Sequence, residues 1–97
     1  MIVWQEPLSF QWDAGNVAKS SKHQVTNAAI EESFFDPDKV VAVDRRHSQS
    51  ERRHILLGCT KLQRLLCVVF TVRSGVVRVI SARDINKKER HLYEKTT

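Results

Sequence analysis

Three apolar runs separated by short polar breaks fill the second half of the chain: HILLGCT (54–60), RLLCVVFTV (64–72) and VVRVISA (76–82). The middle run is apolar at odd and even positions alike, the pattern of a central strand covered on both faces. VVAVD, residues 40–44, adds a short β-branched strand. Further upstream, LSFQWDAGN alternates Leu8, Phe10 and Trp12. It then presents Asp13 as the N-cap of a helix running to about His23, with Trp12 and Val17 at hydrophobic-staple positions. A second helix starts at VTNAAIEESFF, where Thr26 caps, Val25 and Ile30 form the staple, and Ile30 and Phe34 share one face. Asp36-Pro37-Asp38 stops it. Asn86 and Glu89 have capping-box spacing and open a charged last helix, NKKERHLYEK. The order predicts an α+β domain: two helices, a small antiparallel sheet of about four strands, and a C-terminal helix. With 97 residues and no repeat or linker, 1–97 is read as one domain.

The hairpin between the last two strands sets which side chains share a face. Arg73-Ser74-Gly75 suits a three-residue loop with glycine in the left-handed conformation. That loop predicts Val72 opposite Val76, Val69 opposite Val79, Cys67 opposite Ser81 and Leu65 opposite Arg83. A two-residue loop of Ser74-Gly75 would pair Arg73 with Val76 and put Arg73 and Arg83 on opposite faces.

Composition adds a partner class. Sixteen Lys and Arg oppose eleven Asp and Glu, a net charge of +5, and the balance favours a polyanion such as nucleic acid. DRRHSQSERR, residues 44–53, holds four arginines and no apolar residue, and reads as a loop or exposed strand end. MIVWQEPL has no basic leader before an apolar run, and no stretch approaches the roughly 20 apolar residues of a membrane span, so a cytoplasmic protein is expected. Cys59 and Cys67 are expected as reduced thiols. His47, His54 and Cys59 match no common zinc spacing, and neither metal nor cofactor is expected.

Seven motifs in order carry a resemblance. They are F-Q-W-D; Lys22-His23 ahead of a valine; an acidic helix ending F-F-D-P; D-x-x-H-x-x-x-E-x-R from Asp44 to Arg53; L-L-x-V-V-F-T-x-R; R-V-I-S-A-R-D; and E-R-x-x-Y. Together they resemble the BrnT-type toxins of bacterial toxin–antitoxin modules, over residues 8 to about 95. Residues 1–7 form an N-terminal extension, and Gln24 stands where the family commonly has glycine. The resemblance implies a RelE-like ribonuclease fold, metal-independent mRNA cleavage that arrests growth, and neutralisation by a BrnA-type antitoxin. Operator DNA would be bound only through the antitoxin complex. By motif position the resemblance maps catalysis onto Lys22, His23, Arg73 and Arg83.

Those residue types suit the reaction. RNA cleavage without metal needs a base for the 2′-hydroxyl, cations for the phosphorane and a donor for the leaving 5′-oxygen. His23 titrates near neutrality, and Lys22 can hold phosphate or act as a base if its pKa is lowered. Arg73 and Arg83 stay protonated and bind phosphate. Arg52 and Arg53 of the basic stretch, with Arg90 and Tyr93 of the last helix, are the further RNA-binding candidates. Each also fits a plainer role: Lys22-His23 a polar helix end, Arg73 a solvated hairpin tip, and Arg83 an ion pair with Asp84 or Glu89. His47 with Glu51 is expected to order the arginine-rich loop. The alternative function is a non-catalytic toxin homologue that binds the antitoxin and co-regulates the promoter.

Overall fold

The computed structural model describes residues 9–13, 24–47 and 51–96. The expected first helix, Lys22, His23 and the 1–7 extension fall outside the described residues. The elements are β1 (Ser9–Gln11), α1 (Asn27–Phe34), β2 (Val40–Val43), a 3-10 turn (Arg45–His47), β3 (His54–Cys59), β4 (Leu65–Arg73), β5 (Val76–Asp84) and α2 (Lys87–Thr96).

The α+β class and the four expected strands are present, but the sheet has five strands in the order β1-β5-β4-β3-β2. It is mixed, because β1 pairs in parallel with β5, Phe10 beside Val77. The alternation of Leu8, Phe10 and Trp12 runs through β1, but so short a stretch does not name its partner strand. What holds β1 is non-local: the Phe10 ring meets Phe34 edge-on at 5.1 Å.

Both helix starts that can be compared follow the sequence. The Thr26 hydroxyl accepts from the Ala29 amide at 3.1 Å, with Val25 and Ile30 buried. Asn86 and Glu89 bond reciprocally, at 2.8 and 2.9 Å, as a capping box. Gln24, just ahead of α1, lies at φ +56°, the left-handed region glycine adopts without cost.

The core lies between α1 and one face of the sheet. Ile30 and Phe34 pack on Leu56, Leu66, Val68, Phe70, Val77, Val79 and Ala82, and all are at most 1% exposed. Phe34 and Phe70 meet at 4.9 Å between ring centroids. Close approach depends on Gly58, because a Cβ there would collide with the Ser33 carbonyl oxygen of α1. On the far face, α2 covers the end where β3 finishes: Cys67 and Leu57 are buried there, and Glu89 reaches both Cys67 and Arg83.

The hairpin corrects the expected register. Ser74 (φ +50°) and Gly75 (φ +78°) form a two-residue turn, and Arg73 pairs with Val76. Positive φ at both turn residues matches the strand twist, which a three-residue loop was not needed to supply. The ladder then slips: Phe70 faces Val79 but Val69 faces Ser81, leaving Ile80 as the extra residue of a β-bulge. Cys67 therefore faces Arg83, not Ser81. The turn shifts the side-chain parity by one and the bulge shifts it back. Arg73 and Arg83 consequently share the far face, together with Arg78 and Ser81.

Candidate nucleic-acid interface

The far face carries one cluster of guanidinium groups at the hairpin end and a separate guanidinium, Arg83, at the other end. Arg73 and Arg83 sit opposite Val76 and Cys67, six β4 residues apart, which is about 20 Å of strand. They do not meet at one phosphate. Arg78, passed over in the sequence because simple alternation from Arg83 puts it on the other face, pairs across from Thr71 on this face through the bulge.

At the hairpin end, Glu51 accepts from Arg73 Nε and, at 2.9 Å, from Arg73 Nη2. Its carboxyl is held below its ordinary value by the hydrogen bonds from Arg73, with Arg53 and Arg78 adding to the positive potential. One carboxylate thus sits in the field of three arginines from three separate segments. The expected contact of His47 with Glu51 rests on a side chain outside the described ones. Arg78 is also paired with Asp13. The Thr71 side chain is buried on the same face, and its hydroxyl has no hydrogen-bond partner among the described residues. Arg52 is exposed and Arg53 half-buried at the start of β3.

At the other end, Arg83 donates from Nη1 and Nη2 to both oxygens of Glu89, 2.8 Å each, and from Nη1 to the Asp84 carbonyl at 3.1 Å. The pairing with Glu89 expected of an ordinary ion pair is therefore formed. Arg64, a second residue passed over in the sequence, grips the Asp84 carboxylate at 2.6 and 3.2 Å and donates to the Gln24 carbonyl at 3.0 Å. Arg64 and Arg83 thus both bond to Asp84, but from opposite faces: Arg83 to its carbonyl on the far face, Arg64 to its carboxylate on the face of Leu66 and α1. Burial pushes the Cys67 thiol beside Arg83 up to about 12, so it stays protonated and unreactive.

Tyr93 and Arg90 are placed differently. The Tyr93 hydroxyl donates to Asp36 Oδ2 at 2.6 Å, and burial with that carboxylate holds it above its ordinary value. It lines an acidic groove, an environment that repels phosphate. Arg90 is exposed on α2. His54 packs against Phe70 with rings tilted at 31° and centroids 5.3 Å apart, and burial lowers its pKa. None of the described helices is long and apolar enough to cross a membrane.

A family model described as the ribonuclease toxin BrnT of type II toxin–antitoxin systems matches residues 12–89. No curated protein matches the chain.

Proposed function

Because the chain belongs to the BrnT family of ribonuclease toxins of type II toxin–antitoxin systems, we propose that it cuts mRNA without a metal ion along the far face of its sheet. On this reading the fold is RelE-like and the cut arrests growth. A BrnA-type antitoxin neutralises the toxin in the cytoplasm, and operator DNA is reached only through the antitoxin complex.

The step is an in-line attack. The 2′-oxygen bonds to phosphorus, the bond to the 5′-oxygen breaks, and a 2′,3′-cyclic phosphate and a 5′-hydroxyl result. His23 or Lys22 takes the 2′-proton, and an acid returns one to the 5′-oxygen. Arg83 stands at the end of the sheet whose Asp84 is tied through Arg64 to Gln24, the residue that follows His23 in the chain, so this end receives the reacting phosphate. Arg73, Arg53 and Arg78 then hold a flanking phosphate of the same strand.

The observation that carries the RNA reading is the Glu51 carboxylate among Arg53, Arg73 and Arg78. It is an anion of this chain seated where a phosphate oxygen would be held, and RNA must displace it. Glu51→Gln is therefore expected to bind a short single-stranded RNA more tightly. Its plot of log affinity against log salt should be steeper by about 0.7, one more phosphate contact. Fluorescence anisotropy at several salt concentrations measures both. Unchanged affinity and slope would show that RNA does not use the hairpin end.

A further inference from the structure

We propose that the groove between the C-terminal end of α1, the β3–β4 turn and α2 docks a basic segment of the partner antitoxin that carries one bulky apolar side chain. The proposal rests on the toxin reading for the existence of that partner, and on the groove itself for its chemistry.

The groove encloses about 800 Å³ and is lined by Glu31, Glu32, Phe35, Asp36, Asp38 and Tyr93, with Lys61 as its cation. Its charge runs against that of the whole chain, which is +5. Elsewhere carboxylates are matched by arginines: Asp13 by Arg78, Glu51 by Arg73, Asp84 by Arg64 and Glu89 by Arg83. The groove acids are held in another way. Glu31 accepts from the Trp12 indole, Glu32 from the Lys61 amide, and Asp36 from the Cys59 amide and the Tyr93 hydroxyl. These donors are neutral, so they orient the carboxylates without cancelling their charge. A partner's lysine or arginine supplies the cation that the described donors do not.

The apolar half of the fit is Phe35, 45% exposed at the mouth of the groove although it belongs to the run that fills the core. Its ring gives a face for an aliphatic side chain or a guanidinium plane. Leu62, 91% exposed on the adjoining turn, widens the apolar rim.

Such a contact also orients the partner. A protein that covers the arginine clusters presents acidic groups to them, so a basic stretch on the same protein is misplaced everywhere except here. Charges of both signs in fixed positions select one docking pose.

The test uses the chain co-expressed with the product of the reading frame beside its gene and purified as a complex. Two variants are made separately: Phe35→Ala, and Asp38→Lys, which changes an exposed side chain outside the core. Each should weaken the complex by about tenfold or more, while urea unfolding of the free variant stays near the parent's. Hydrogen exchange should slow at residues 35–38 and 60–63 on binding. If the wild-type complex forms but neither variant weakens it and neither segment is protected, the groove proposal is overturned and the toxin reading stands. If the neighbouring product does not bind the wild-type chain at all, the toxin–antitoxin reading and the groove proposal both fall.

Discussion

Arg83→Ala is expected to lower the rate of RNA cleavage about 100- to 1,000-fold, the usual loss when one preorganised donor to a developing anion is removed. The guanidinium stands on the far face beside buried Cys67, held by both oxygens of Glu89 and by the Asp84 carbonyl. In that partly dry setting a fixed cation acts on phosphorane charge more strongly than one in water. The fold should survive, because Glu89 keeps its own capping bond to Asn86 when its arginine partner is gone. Arg73→Ala should behave differently. Arg73 is two-thirds exposed and about 20 Å along the strand from Arg83, so its loss should weaken binding and flatten the salt dependence by about 0.7, with turnover at saturating RNA nearly unchanged. Single-turnover cleavage over a range of RNA concentrations separates the two effects. Equal losses in rate for both variants would refute the division of the face into a reacting end and a holding end.

The largest expected effect on stability comes from Gly58→Ala. The added methyl meets the backbone carbonyl of Ser33, which belongs to α1 and cannot swing aside. Either α1 lifts from β3 or the strand shifts, and overpacking of this kind costs typically 1–3 kcal/mol, occasionally more. At about 4–8 °C per kcal/mol for a domain of this size, a loss near 2 kcal/mol lowers Tm by roughly 10 °C or more. Gly75→Ala is the control: it has open space around its Cβ and φ +78°, so only backbone strain of about 1 kcal/mol applies. Thermal and urea unfolding should rank Gly58→Ala well below Gly75→Ala. The reverse order would mean that α1 is not seated on Gly58.

Local signals were legible in the sequence where local chemistry decides the structure. The Thr26 cap, the Val25–Ile30 staple, the Asn86–Glu89 box and the four longer strands depend on neighbours within one turn or one strand. The turn and the bulge depend on pairing across strands, and there simple alternation fails. A trace of the bulge is nevertheless present in VVRVISA: the apolar alternation of Val77 and Val79 resumes at Ala82, a step of three that reverses parity. Following that step would have placed Arg78 on the face of Arg83. β1 left the alternation of Leu8, Phe10 and Trp12, but its parallel pairing is set by Val77 and Phe34, which no local pattern names. The carboxylates that hold the arginines come from distant segments, so Glu51 on Arg73 and Asp13 on Arg78 were invisible to spacing. Arg64 was passed over because it sits at the edge of an apolar run, where one cation reads as solvated.

The central claim is that this chain cuts RNA with its own side chains. Its most direct test is incubation of the purified protein with an end-labelled mRNA fragment in excess EDTA, followed by analysis of the product termini. Cleavage that persists in EDTA and leaves 2′,3′-cyclic phosphate or 3′-phosphate ends with 5′-hydroxyls is the predicted result. RNA that is bound but remains intact, or that is cut only when a divalent cation is restored, would contradict the account. Intact bound RNA would identify the chain as the non-catalytic, antitoxin-binding homologue.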